Sequence, residues 1–296
     1  MANERIRKLQ PYTLDMLGDD IAQSAEGLRT GFIEVDRALK IPQGAITIIA
    51  ARPSHGKTTF LLNLFLNMLR IYSDKAFFYF SYQESKIKIA LKLINILSGD
   101  LIDREGNVGE LERYLREGSS NRPKVEKGKD EFRKLTESGR LWIIDEPYRL
   151  EDLVDVMAFL AGKYDVGAVV IDFLQKISPG KGHPDNMDGM QLVSQRLLEN
   201  AKGLMIPVII GAQLKWSEKK VLRLDNFIDM IGVVQDASLV IGLYNDAVEK
   251  AQSLGEVIKE RQIDIKLSVL KNRTGQVNKT FTLGFDIPLL TIREKF

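Results

Sequence analysis

The chain has 296 residues, 44% of them hydrophobic, enough to bury a full core, and the length fits one large α/β domain or one domain plus a short appendage. With 42 Lys and Arg against 40 Asp and Glu, the net charge of +2 is too small for a protein that coats nucleic acid by electrostatics alone. The absence of cysteine excludes disulfides, zinc knuckles and thiol nucleophiles, and with His55 and His183 as the only histidines any metal is expected to take oxygen ligands.

Residues 1–12 are basic and without periodicity, and MANERIRKLQ lacks the apolar centre of a signal peptide. No apolar run approaches the roughly 18 residues of a membrane span, so a cytoplasmic location without a membrane partner is expected. Thr13 to Ser24 spaces Leu14, Leu17 and Ile21 for one helical face that needs a partner. From Gly31 the pattern alternates: a helix over Phe32 to Leu39, a strand Ala45 to Ala50, a turn, and a helix from Lys57 to about Ile71. Further strands are expected at Ala76 to Phe80, Leu141 to Ile144, Ala168 to Asp172, Pro207 to Ala212, Leu239 to Leu243, Ile263 to Leu270 and Lys279 to Phe285. Helical stretches separate most of the early ones, which predicts a mostly parallel sheet covered by helices, with an antiparallel hairpin at its C-terminal end. The charged segment Gly99 to Gly139, broken by Gly118, Pro123 and Gly128, reads as short helices on a surface excursion.

The turn after the first strand carries the chemistry. Binding a polyphosphate takes converging backbone N–H groups, a helix N-terminus, a mobile cation and a hydroxyl for a metal. Arg52, Pro53, Ser54, His55, Gly56, Lys57, Thr58 and Thr59 meet those needs between a strand and an amphipathic helix. Lys57 would reach the β and γ phosphates of ATP, Thr58 would ligate Mg²⁺, and Gly56 lets the backbone come close. His55 is expected to contribute its N–H and no catalysis. The plainer alternative is a chance Gly-Lys-Thr at a helix start. A second metal-side group is expected at the end of another buried strand, and Asp172 in AVVIDFLQ fills that place, with Asp145 in LWIIDEP as its competitor. An aspartate in such a position is otherwise only a strand cap.

With these residues in place, the chain resembles the ATPase domain of DnaB-type hexameric replicative helicases, whose fold is RecA-like. The motifs that carry the resemblance are ARPSHGKTT, FSYQES, VVIDFLQ, IPVIIGAQL, VVQDASLVIGLY and LKNRTG, in the family's order over most of Leu28 to Phe285. It implies a RecA-like P-loop NTPase domain over residues 28–296, preceded in 1–27 by the basic segment and a linker helix that docks on a neighbouring subunit. The family's primase-binding domain is expected to be missing. Gln213 resembles the polar sensor of the γ-phosphate, against the alternative of an amide capping a strand. Lys271 and Arg273 resemble basic fingers that enter the next subunit's nucleotide site, where they would stabilise charge on the transferred phosphoryl group; otherwise they belong to a solvated turn.

The segment Asn226 to Gly232, with Asp229, stands where the family grips single-stranded DNA, yet Ile228, Met230 and Ile231 occupy places expected to be basic or small and polar. Lys215, Lys219, Lys220 and Arg223 just upstream offer the charge instead, unless they form an ordinary charged surface loop.

Family members carry a water-activating glutamate where this chain has Gln83. Glutamine orients water but takes no proton at neutral pH, so hydrolysis is expected to be slowed while binding survives. Three readings stay open: Glu84 acts through a one-residue offset, Gln83 belongs to a slow ATPase, or Gln83 is a deliberate replacement that traps nucleotide. The resemblance implies an ATP-driven ring, expected to be hexameric, that moves on single-stranded DNA, with a primase or loader as candidate partners. The alternatives are a filament-forming recombinase or loader ATPase, and a nucleotide-stabilised DNA clamp or scaffold.

Overall fold

The structure, a computed structural model, describes residues 26–99, 112, 123–180, 187–215 and 222–295. The linker segment Thr13 to Ser24, Lys219, Lys220 and His183 lie outside the described residues.

The first half of the sheet follows from runs of β-branched and aromatic residues. They form β1 (Ile46–Ala51), β2 (Ala76–Ser81), β3 (Leu141–Ile144), β4 (Val166–Asp172), β5 (Val208–Gln213) and β6 (Leu239–Tyr244). These pair in parallel in the order β3-β2-β4-β5-β1-β6. β1 is buried along its whole length, because both of its faces are covered. Ile49 and Ala51 face a core shared with Phe60, Leu64 and Phe65 of helix α2 (Lys57–Ile71) and Ile89 and Leu93 of α3 (Lys86–Ser98). Ile46, Ile48 and Ala50 face the opposite core, against Leu153 and Met157 of α5 (Leu150–Lys163) and Val193 and Leu197 of α6 (Met187–Leu204). A chain that alternates sides at every residue and is apolar on both cannot slip by one position without losing cross-strand partners.

Four differences from the expected pattern have local causes. The helix expected over Phe32 to Leu39 is the single turn α1 (Ile33–Asp36). Leu28 and Ile41 exchange backbone hydrogen bonds of 2.8 Å, and the Asp36 carboxylate takes the Thr30 and Gly31 N–H groups, so the segment must close on itself. Of the charged excursion, residues 100–111 and 113–122 lie outside the described residues, and Pro123–Glu137 forms one helix of 15 residues, α4. Val125 is buried, and Phe132 and Leu135 pack on the core of α2 and α3; the charges that dominate its composition lie on its outer face. Pro123 opens it, where the missing N–H costs nothing.

The C-terminal hairpin is β7 (Gln262–Asn272) and β8 (Thr280–Asp286), but a third antiparallel strand, β9 (Thr291–Glu294), adds the outer edge. At four residues it is too short to show a period. Last, Leu224–Met230 is a 3-10 segment leading into α7 (Ile231–Asp236), where Phe227 and Met230 are buried in the second core. Of the apolar residues that looked out of place in a DNA loop, Met230 is therefore an anchor, whereas Ile231 is exposed and the Ile228 side chain lies outside the described residues. Helix α8 (Asp246–Leu254) follows β6, started by the Asn245 side chain, which accepts from the Val248 N–H.

Candidate nucleotide site

All six parallel strands end at one edge of the sheet, and the turns there collect the expected side chains. After β1 the chain enters a loop in which Ser54 and Gly56 both take left-handed backbone (φ 66° and 87°), and α2 starts at Lys57. Left-handed residues in a turn are a backbone form found in anion-binding loops. Gly56 suits its place because its φ is positive, and a Cβ there would sit close to Ile265 Cδ1, at 3.3 Å.

Asp172, at the end of β4, sits opposite the first turn of α2. Lys57 Nζ is bonded to Asp172 Oδ1, Thr58 Oγ1 donates to Oδ2 (2.7 Å), and the Tyr79 hydroxyl donates to the same oxygen (3.0 Å). The Asp172 side chain is 3% exposed and that of Lys57 10%. Burial, with Asp172 next to it, pushes the Tyr79 hydroxyl well above the ordinary tyrosine range, so it remains a donor. Lys57 Nζ also lies 4.7 Å from the centre of the Phe173 ring. Asp145, the competing carboxylate, accepts from the Lys86 N–H (2.9 Å) at the start of α3, a bond that holds its pKa below the usual range. It is occupied as a helix cap.

The cleft above this pair has a volume of about 350 Å³ and is lined by Arg52, Pro53, Ser54, Gly56, Lys57, Thr58, Thr59, Gln83, Glu84 and Gln213. The ends of three strands, β1, β2 and β5, thus converge on it. Gln83 is exposed to it, while Glu84 presents both carboxylate oxygens to Lys92 Nζ at 2.6 Å. β2 ends at Ser81, so strand alternation no longer dictates where residue 84 points.

His55 departs from its expected part. Its N–H donates to the Arg52 carbonyl (3.3 Å) and is not turned to the cleft. The ring is buried beneath the loop, where Nδ1 accepts from the Asn245 N–H (3.0 Å) and Nε2 lies 3.5 Å from Glu249 Oε2. The proton of the neutral ring is therefore assigned to Nε2. Arg52 Nη1 donates to the same Glu249 oxygen (2.9 Å), and Tyr244 lies against both, 5.8 Å from Arg52 Cζ and 5.3 Å from the His55 ring, to which it is tilted. Glu249 on α8 thus braces the phosphate loop from below.

Sequence reasoning missed Glu249, Tyr79 and Gly211. Gly211, on β5, leaves the space that a Cβ would fill 3.0 Å from Asp172 Oδ1 and 3.2 Å from Lys57 Nζ. Tyr79 was legible as a polar atom inside an aromatic strand. Glu249 carried no local signal, since its partners lie 194 and 197 positions away in the chain (His55 and Arg52).

Lys271 and Arg273 are not at the cleft. Asn272 pairs with Leu239 and Leu239 with Thr47, whereas the cleft opens beyond Ala51. Four residues of strand separate those levels, about 13 Å. Lys271 Nζ donates to the carbonyls of Val234 (2.7 Å) and Gln235 (2.9 Å), and Arg273 Nη2 to that of Gln235 (2.6 Å). Of the expected DNA-side residues, Lys215 lines a second hollow with Gln175, Asn226 and Met230, and Arg223 is exposed. Gly232 is half-buried against α6, where a Cβ would meet the Gln191 side chain at 2.8 Å. Asp229 lies in the 3-10 segment, its side chain outside the described residues.

A glycine-containing loop between β1 and α2, a lysine and threonine at the helix start, and a carboxylate ending a neighbouring parallel strand define a P-loop protein of RecA-like fold. The family model for the DnaB-like helicase C-terminal domain matches residues 27–292, and the chain belongs to that family. Among curated relatives, the replicative DNA helicase DnaB of Helicobacter pylori (strain J99) is 26% identical over 86% of this chain and 57% of its own length. That of Geobacillus stearothermophilus is 28% identical over 88% of this chain and 54% of its own. The chain therefore spans little more than half the length of the curated relatives it matches. A solved structure of a DnaB-like replicative helicase, described with its interactions with primase, superposes with a TM-score of 0.77 at 21% identity, covering 96% of this chain and 66% of that one. A solved ATPase domain gives 0.79 at 20% identity, covering 97% of this chain and all of that one.

Proposed function

We propose that this chain is the ATPase motor of a replicative DNA helicase, working as a ring, of six subunits by family analogy, that translocates on single-stranded DNA. Residues 28–296 form the motor and 1–27 the linker to a neighbouring subunit. The observation that carries this reading is the separation of Lys57 and Asp172 from Lys271 and Arg273 by the height of the sheet. A nucleotide site that uses both pairs needs two copies of the chain.

The residues fit ATP and Mg²⁺. The Thr58 hydroxyl and the Asp172 carboxylate are hard oxygen donors beside the cleft, suited to magnesium, and Lys57 is a cation at the start of the helix that follows the loop. When bound, Mg²⁺ would supply charge neutralisation on the phosphates. Lys57 would then exchange Asp172 for phosphate oxygen, Gln213 would sense the terminal phosphate, and Gln83 would orient water. Lys215, Lys219, Lys220 and Arg223, with the backbone about Asp229 and Gly232, would contact DNA phosphates. A primase is the protein partner suggested by a solved structure described with primase, a loader is the alternative that the family resemblance offers, and a cytoplasmic location goes with this reading.

A second reading, a nucleotide-stabilised clamp that hydrolyses slowly, is favoured by the amide at Gln83 and by the pairing of Glu84 with Lys92. Native mass spectrometry with nucleotide, together with ATP turnover and strand displacement on a forked duplex, separates the readings. A ring with DNA-stimulated turnover and unwinding supports the motor. A ring without unwinding supports the clamp, and a chain that stays monomeric and binds no nucleotide overturns both.

A further inference from the structure

The amide of Gln175, in the 3-10 turn Leu174–Lys176 after β4, brackets the backbone of Gln213. Its Oε1 accepts from the Gln213 N–H (3.2 Å) and its Nε2 donates to the Gln213 carbonyl (2.8 Å). The same Nε2 donates to Met230 Sδ (3.1 Å), immediately before α7. Helix α7 then runs about 9 Å toward the opposite edge of the sheet, where its Val234 and Gln235 carbonyls receive Lys271 and Arg273. Buried Val233 and Val234, and a hydrogen bond from Ser194 to the Asp236 carboxylate, hold this short helix to α6 as one body. One unbroken chain of contacts thus joins the sensor of one cleft to the cations offered to the next.

We propose that α7 is a strut between successive nucleotide sites and that Gln175 is the positioning residue that drives it. A phosphate that draws Gln213 pulls Gln175 and Met230 with it, and α7, too short to bend, shifts its hold on Lys271 and Arg273. This rests on the reading above of Gln213 as sensor and of the two cations as fingers. Burial, and then Arg273 beside it, lower the pKa of Lys271, so its seat on two carbonyls is one that a phosphate would improve upon. An element with two competing sets of partners is what physical coupling requires, beyond lying between two sites.

The test is hydrogen exchange of the full chain in its oligomer, with and without a saturating non-hydrolysable ATP analogue and Mg²⁺. Binding of a fluorescent ATP analogue is measured alongside. In the wild type, exchange over residues 231–238 is expected to change about tenfold on binding. In Gln175→Glu, which keeps the acceptor but loses both donations, the change is expected to fall below about twofold at saturating nucleotide, with the melting temperature reported as a control on folding. Should that variant fail to fold, Gln175→Asn, too short to reach both Gln213 and Met230, gives the same readout. A tenfold response that persists in the variants, or a silent α7 in a wild type that binds nucleotide, overturns the strut. A wild type that binds no nucleotide overturns the underlying functional reading instead.

Discussion

Both carboxylate oxygens of Glu84 lie 2.6 Å from Lys92 Nζ, at the rim of the cleft where Gln83 stands exposed. The Glu84 carboxylate is held on Lys92 and away from the position of Gln83, whose amide takes no proton at neutral pH. Gln83→Glu is therefore expected to raise steady-state ATP turnover by about 10²-fold or more, the size of a general-base contribution, while Glu84→Gln leaves it within about threefold. Phosphate-release kinetics read both. No gain from the first and a collapse from the second would assign the base to Glu84.

Lys57 and Asp172 are a buried pair, and removing one member strands the other. Lys57→Met is expected to abolish nucleotide binding and to lower stability by about 3–5 kcal/mol. Adding Asp172→Asn should recover most of that stability but none of the binding. Denaturant melts and fluorescent-nucleotide titration read the two effects separately; if the double variant is no more stable than the single one, the pair is not what holds this corner.

Gly211→Ala puts a methyl group against the same pair, 3.0 Å from Asp172 Oδ1. The expected result is nucleotide affinity weakened about tenfold with a stability loss of only about 1–2 kcal/mol, as for a modest overpacking. Unchanged affinity by calorimetry would mean that Lys57 and Asp172 move freely enough to admit it.

Burial, only partly offset by Glu249 and reinforced by Arg52, holds the His55 pKa below its ordinary value. The negative charge of Asp246 acts in the same direction as that of Glu249. The folded chain keeps His55 neutral where the unfolded chain takes up a proton, below about pH 6.5. Its contribution to stability is present above that value and is lost as pH falls through the depressed folded value. His55→Gln retains an acceptor for the Asn245 N–H, so its melting temperature should fall less than that of the wild type between about pH 6.5 and 5. Parallel curves for the two proteins would remove His55 as the titrating group.

Because Lys271 and Arg273 lie a sheet's height from their own cleft, two inactive proteins are expected to complement each other. Arg273→Ala and Lys57→Ala should each be inactive alone, and an equal mixture should regain turnover at about one interface in four. A mixture as inactive as its parts would argue against a shared site.

The phosphate loop, the strand ending in Asp172 and the parallel half of the sheet were legible because their signals are local: a turn of seven or so residues, or an apolar run closed by one charge. Gln83 was visible for the same reason, as one departure inside a motif. β9 was not, since a four-residue edge strand has no period to detect, and α4 was obscured because its charges outnumber the three apolar residues that dock it.

Hydrophobic alternation determined the covered parallel sheet, and the ordered motifs with the resemblance they carry named the RecA-like class and the candidate cation, hydroxyl and carboxylate, since each motif is a short local stretch of chain. Only the tertiary structure decided that His55 turns beneath the loop toward Glu249, that Glu84 is engaged by Lys92, and that Gln175 ties Gln213 to α7. Those relations join side chains brought together by the packing of separate elements, and the free energy that selects them belongs to no single stretch of sequence.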